Sequence, residues 1–454
     1  MNKNTLDMTK GNYIKIILIF AFPIFLSNLF QQMYNAIDSL IVGNFLDTNS
    51  LAAVSSSGNL IFLFTGFFAG TALGAGVVIS KYFGKKDYES MQKTIHTTIA
   101  FGLVAGIFLT IIGYFTVPYI LRLMGTDEAV LPFSISYFQT YFLGSIAVIM
   151  YNIFNGICTA VGNSKRPLVY LIISSCLNVV LDLILIAGFH LGVWAAALAT
   201  VISQIISALL CFLFLIKKGT VYQVKVNEIK FHKSYLKEIF NMGIPTGIQN
   251  SVIGLANVVV QSHINQFGGI AMAACGTYFK IEGFAFLPIS CFTMAITTFI
   301  SQNFGAGEFK RARKGARFGI VSSMALAEII GILVFFLSPY LIAMFDTTPE
   351  VIEIGVRQAH TESLFFFLLA YSHCIAAVCR GSGRSTIPML IMLLVWCVGR
   401  VTYLSIMSHF IHVIDYVFVA YPLTWSISSL IYLIYYYKIG WENGFKPNKE
   451  NSKC

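Results

Sequence analysis

Apolar runs of about twenty residues recur along the whole chain, separated by short stretches rich in Gly, Pro, Lys and Arg. At 1.5 Å per helical residue, each run can cross a hydrocarbon core about 30 Å thick. The pattern predicts twelve helices, at about 14–44, 51–80, 94–117, 130–158, 167–188, 193–216, 238–266, 270–303, 315–338, 352–380, 387–408 and 413–437. Several exceed the minimum span, which allows tilt. The expected fold is an all-α polytopic membrane protein.

The pattern also repeats. Shifted by 221 residues, the second half lies on the first without gaps over about a hundred positions. "ISKYFGKKD" at 79–87 meets "ISQNFGAGE" at 300–308, and "CTAVGNSKRP" at 158–167 meets "CRGSGRSTIP" at 379–388. Pro118/Pro339, Gly162/Gly383 and Pro167/Pro388 are identical pairs. A duplicated six-helix unit keeps both copies in one orientation, so two bundles related by a pseudo-twofold axis along the membrane normal are expected. The lobes are expected at 1–216 and 238–454, joined by a linker at 217–237 that carries six lysines. Parallel repeats of this kind suit rocking about a central cavity better than a channel. Gly66, Gly70 and Gly74 recur every four residues, a stripe that lets helix backbones pack closely.

Composition agrees. The chain is 57% hydrophobic and only 11% charged, with a mean hydropathy of +0.75, whereas soluble domains carry about 25% charged residues. Of 30 Lys and Arg, 26 fall in the termini and in alternate connections, so both termini are expected in the cytoplasm of a cell-membrane protein. The net charge of +10 then reports topology and attraction to anionic lipid, and no nucleic-acid partner is expected. The first run has no small-residue cleavage site and reads as a retained helix. None of the nine cysteines forms a CxxC or Cys/His cluster, so packing is their expected role.

Charged groups inside the spans are the candidates for chemistry, because each costs about 2.5–3.5 kcal/mol at mid-bilayer. In "QQMYNAIDSLIVG", Asp38 shares a helical face with Gln31, Tyr34 and Asn35. In "SSCLNVVLDLILIAG", Asp182 shares one with Ser174 and Asn178. If these faces meet, they form an oxygen-rich pocket with no fixed cation in its own helices. Burial and like-charge repulsion favour a retained proton there; a hard cation such as Na⁺ is the other way to neutralise it. The second lobe instead carries Lys280, Glu282, Glu362 and Arg400, either as ion pairs between helices or as lining of a substrate cavity. No Walker A, HExxH or GxSxG motif appears, and His263, His360 and His373 are isolated. No enzymatic activity and no cofactor are expected.

Taken together, "PIFLSNLFQQMYNAIDSLIVG", "ISKYFGKKD" with its echo "ISQNFGAGE", and the "GNSKRP" turn resemble the multidrug and toxic compound extrusion (MATE) transporters over essentially the whole chain. The likeness is greatest to the prokaryotic DinF-type branch, whose cation site lies in the N-terminal lobe. The resemblance implies a MATE fold of twelve transmembrane helices in two six-helix bundles. It puts the family's first-helix aspartate and tyrosine on Asp38 and Tyr34, and its fifth-helix Asn-x-x-x-Asp on Asn178 and Asp182. Tyr137, Asn155 and Thr200 match further members of that polar cluster. Another branch carries an acidic pair in the C-terminal lobe, but "PTGIQNSVIGLANVVVQSHINQF" contains no acid.

The expected function is a monomeric antiporter, coupled to H⁺ or Na⁺, that exports amphipathic, mostly cationic small molecules by alternating access. Cation coupling is assigned to Asp38, Asp182, Asn178, Tyr34 and Thr200, with the first three able to hold Na⁺. The substrate cavity is assigned to Gln31, Asn35, Tyr137, Asn155, Lys280, Glu282, Glu362 and Arg400. A lipid-linked-oligosaccharide flippase of the same superfamily is the alternative; the few unpaired basic residues in the spans argue against it.

Overall fold

A computed structural model describes residues 5–123 and 126–441, and among these no strand is present. In chain order the helices are α1 (Tyr13–Phe45), α2 (Thr48–Lys85), α3 (Tyr88–Leu123), α4 (Leu131–Leu143), α5 (Ser145–Ala160), α6 (Lys165–Asp182) and α7 (Trp194–Leu215). They continue as α8 (Lys233–Asn265), α9 (Gly269–Gly305), α10 (Phe309–Ala343), α11 (Pro349–Glu362), α12 (Phe366–Gly381), α13 (Thr386–Met392), α14 (Arg400–Phe410) and α15 (Asp415–Ile434).

Among the described residues, ten helical segments are long and apolar enough to cross a membrane, and α4 with α5, bent by 50° at Gly144, makes an eleventh. The expected twelfth span, α8, is 33 residues long. It is less apolar than the others, because Gln249, Asn250, Asn257 and Gln261 interrupt its hydrophobic run.

Two compact units are distinguished. One comprises residues up to Asp7 together with Phe22–Gly247; the other comprises Met8–Ala21 together with the chain from Ile248 onward. In the first, α5 packs against α2, α3 and α7, and α6 packs against α7. Its core carries an aromatic column in which Phe138 stacks on Phe142 at 6.5 Å and Phe64 meets Phe142 edge-on at 5.3 Å. In the second, α9, α10 and α12 pack mutually, with α15 against α12 and α14.

The duplication is visible in the backbone. Six of the nine described residues with positive φ fall in pairs 221 apart: Lys86 and Gly307, Gly162 and Gly383, Gly219 and Gly440. The first pair closes equivalent turns, with Asp87 N–H donating to Tyr82 O at 3.1 Å and Glu308 N–H donating to Asn303 O at 2.8 Å. The fourth span of each repeat also breaks at matching positions, at Gly144 and over Ser363–Phe365. Aspartates cap two helix starts. Asp47 accepts from Ser50 N–H at 2.7 Å and Asp87 from Ser90 N–H at 3.1 Å. The second bond holds the Asp87 carboxyl below its ordinary range.

The small-residue stripe does what its spacing suggests. A Cβ built on Gly70 would lie 2.6 Å from the Gly247 Cα, and one on Gly74 would strike Gly243, so α2 and α8 cross backbone to backbone. Gly74→Ala is therefore expected to lower the thermal unfolding midpoint of the detergent-purified protein, costing at least the about 1–3 kcal/mol of ordinary overpacking. In α9 a Cβ on Gly276 meets nothing within 4 Å. Gly276→Ala is expected to raise the midpoint, by the equivalent of about 0.5–1 kcal/mol of helix propensity.

Candidate functional site

Asp38 occupies the second half of α1 and Asp182 the last position of α6, and both are buried, with Asp182 wholly inaccessible. Their carboxyls are close enough to interact electrostatically, although no direct hydrogen bond joins them. Two ionised carboxylates repel, so their proximity favours a proton or a cation at this site. No Lys or Arg forms an ion pair with either acid among the described residues.

Beside this pair lies a small polar cavity, with about 10 Å³ open to the centre of a water molecule. Tyr34, Ser174, Asn178, Thr200, Ser203 and Gln204 contribute to its lining. Asn178 donates to Thr200 Oγ1 at 3.4 Å, and the Tyr34 hydroxyl is within reach of Gln31 and Gln204. Several oxygens here are buried without a hydrogen-bond partner: Asp38 Oδ1, both Asp182 carboxyl oxygens, Asn178 Oδ1 and Gln204 Oε1. A concentration of unpartnered hard oxygens is the donor chemistry of a proton or an alkali cation.

The fold thus gathers Asp38, Asp182, Asn178, Tyr34 and Thr200. Gln31 and Asn35 are exposed on α1. Tyr137 is buried edge-on to Phe138 at 6.0 Å, and Asn155 is half-buried on α5; neither lines the cavity.

The second unit solves its charge differently. Arg400, 2% exposed, donates to Thr424 Oγ1 at 2.7 Å and lies over the rings of Tyr421 at 4.4 Å and Trp396 at 5.4 Å. Glu362 is fully buried; its Oε1 accepts from Gln358 Nε2 at 3.0 Å while Oε2 has no partner. Glu282 and Glu362 both interact electrostatically with Arg400. This cluster holds one cation among two acids. Lys280 is exposed, with its ammonium 5.6 Å from the Phe345 ring.

Three features escaped the sequence reading. Glu328, a single acid in the apolar run of α10, accepts from Phe367 N–H at 3.4 Å and so serves a donor freed where α11 gives way to α12. Its isolation in "MALAEIIG" was the available signal. Arg380, the last residue of the predicted 352–380 span, is 7% exposed and donates to Gln249 Oε1 at 3.3 Å. The third feature is a register change in both fifth spans. Wide π-type turns run over Leu183–Gly188 directly after Asp182, and over Leu393–Gly399 directly before Arg400. Such turns are frequent at functional sites, and residue pattern alone carries no mark of them.

Comparison with known proteins agrees with this architecture. The MatE family model matches residues 23–184 and 245–404, one stretch in each repeat. The "Probable multidrug resistance protein YoeA" of Bacillus subtilis (strain 168) is 30% identical over 448 residues, covering 96% of each chain. The "Multidrug export protein MepA" of Staphylococcus aureus (strain MSSA476) is 26% identical over 390 residues, 84% of this chain and 85% of that one. A solved structure described as an outward-facing conformation of a multidrug resistance MATE family transporter of the MOP superfamily superposes with a TM-score of 0.90 at 20% identity, covering 96% of this chain and 97% of that one. A MOP superfamily transporter from Pyrococcus furiosus gives 0.89 at 19% identity, with coverage of 96% and 97%. With both repeats matched by the family model and a relative aligned along nearly its whole length, the chain is a multi-pass membrane protein of the MatE family.

Proposed function

We propose that this protein is a cation-coupled antiporter that exports amphipathic, mostly cationic small molecules by alternating access. The observation that carries this reading is the approach of two buried carboxyls, Asp38 and Asp182, with unpartnered oxygens around them and no basic side chain bonded to them. The printed names of the relatives, multidrug resistance and multidrug export proteins, support drug-like substrates. The Lys and Arg distribution supports a cell-membrane protein with both termini in the cytoplasm. The protein is taken to work as a monomer without a cofactor.

In the proposed cycle the transported cation, H⁺ or Na⁺, is held by Asp38 and Asp182, with Asn178, Thr200 and Tyr34 completing the polar surround. Cation binding removes the repulsion between two acceptors and draws α1 towards α6. Loss of the cation restores the repulsion. Pro23 removes one backbone donor from α1 and gives that helix a point at which to bend. A potential of ~100 mV supplies ~2.3 kcal/mol per charge moved, equivalent to roughly a fifty-fold concentration ratio. ATP is not needed.

Asp38→Asn and Asp182→Asn are expected to reach the membrane, because each keeps the shape and polarity of the side chain, but to lose gradient-driven efflux. Dye extrusion from everted vesicles under an imposed ΔpH or Na⁺ gradient measures this, and which gradient drives the wild type identifies the ion. Wild-type-like transport by both variants would remove the assignment.

The Arg400 cluster is read as lining of the substrate path held together by its own charges. Arg400→Met removes the positive charge with which Glu282 and Glu362 interact and is expected to lower the unfolding midpoint. Glu362→Gln in the same chain should recover much of that loss. Thermal unfolding of the purified single and double variants reads the difference; an unaltered midpoint in Arg400→Met would mean the guanidinium is not balancing the acids.

A further inference from the structure

The first unit contains a second cavity that the transport reading does not use. It is a cleft of about 440 Å³, counted as space open to the centre of a water molecule, between α3, α5 and α7. Its walls are apolar, formed by side chains such as Leu103, Met150, Phe154, Ala208 and Phe212. A cavity lined this way does not hold water and takes apolar occupants.

One end is closed by the linker, through Val226 and Ile229. The linker is tied down there: Lys225 N–H donates to His96 Nε2 at 3.1 Å, and His232 N–H donates to Thr97 Oγ1 at 3.2 Å. The closed end is also the basic end. Lys225 and Lys230 flank the two linker residues, and Lys217 and Lys218 follow α7; all four are exposed. Lys225 is paired with Glu228 at 2.8 Å, whereas Lys230, Lys217 and Lys218 form no ion pair among the described residues.

The equivalent place in the second repeat is built differently. Ala147 and Ala208 line the cleft; 221 residues on stand Leu368 and Ser429, where the Ser429 hydroxyl donates to Leu368 O at 3.0 Å. In the second repeat a hydrogen bond thus joins the two positions that are alanines in the cleft. The side chains that line the cleft are thus particular to this lobe.

We infer that this cleft is a binding site for an acyl chain of an anionic phospholipid, with the headgroup phosphate held at its linker end by Lys230 and the neighbouring free lysines. Hydrocarbon fills the apolar cleft, and the unpaired ammonium groups supply the complementary charge. The occupant would lie against Val226 and Ile229 and so fix the linker to α3.

Native mass spectrometry of the full-length protein in mild detergent, with phosphatidylglycerol and phosphatidylcholine of matched chains, tests this. Wild type is expected to retain phosphatidylglycerol in preference, by about five-fold for each lysine engaged. Ala208→Phe, which fills the cleft, should reduce retention of both lipids. Lys230→Gln should reduce the preference while keeping the lipid count. Leu209 lines the same cleft and is 51% exposed, so Leu209→Asn gives the same readout should Ala208→Phe fail to fold. Equal retention of the two lipids by wild type, or undiminished retention by the cleft variants, would overturn the proposal. Displacement of the bound lipid by an exported dye would overturn it too, by making the cleft a drug site.

Discussion

Two acids facing each other where lipid surrounds the bundle form the interaction on which the first unit depends. Water cannot repair the repulsion inside the bilayer, and removing a charge from water without a partner costs several kcal/mol. The unit answers with oxygen atoms and offers no fixed cation: Asn178, Thr200, Tyr34, serine hydroxyls and Gln204 surround Asp38 and Asp182. Such a surround is neutral only when something positive and mobile is present. The second unit supplies its cation permanently, as Arg400 between aromatic rings and two glutamates. On the proposed reading, one lobe gains and loses charge and the other keeps it.

The common scaffold makes that contrast legible. Left-handed turns, broken fourth spans and π-type turns in the fifth spans recur in both halves. These are backbone solutions to problems both bundles share, namely reversing the chain at the membrane surface and bringing helices close. The side chains at matching positions are free to differ, and they do: Asp182 is matched by Tyr403, and Ala208 by Ser429. Backbone geometry survives such divergence because it depends on glycine, proline and turn hydrogen bonds and not on which polar group a helix presents.

Much of this could be read from residue order. Spans follow from the length of apolar runs, since lipid leaves helices as the economical way to satisfy backbone polar groups. The carboxyls were visible because a charge in an apolar run is costly and therefore conspicuous. Ser203 and Gln204 were passed over because hydroxyls and amides are common in spans and only their convergence with Asn178 gives them weight. Arg380 ends the predicted 352–380 span beside "GSGRS", and residue order does not record its burial against Gln249; in the structure α12 runs on through it. The wide turns beside Asp182 and Arg400 depend on a choice between i−4 and i−5 partners, which packing decides and composition does not record.

Those turns matter to how the acid is presented. After Asp182 the helix widens, and Leu183 and Ile184 face outward at 43% and 46% exposure while Asp182 is fully buried. The register change comes at the residue whose charge must be handled, so α6 can turn its apolar side to lipid immediately beyond the carboxyl. A wide turn also loosens the i−4 ladder there, which lets the Asp182 backbone shift at lower cost than in an unbroken helix. Repulsion between two carboxyls acts over a few ångströms, and a helix able to yield by that amount at that residue can convert the arrival or loss of one cation into displacement of its neighbours. The same reasoning explains why Arg400, held by Thr424 and two rings, is clamped on the far side of its own wide turn: a permanent charge needs a fixed cage, and an exchangeable one needs room to move.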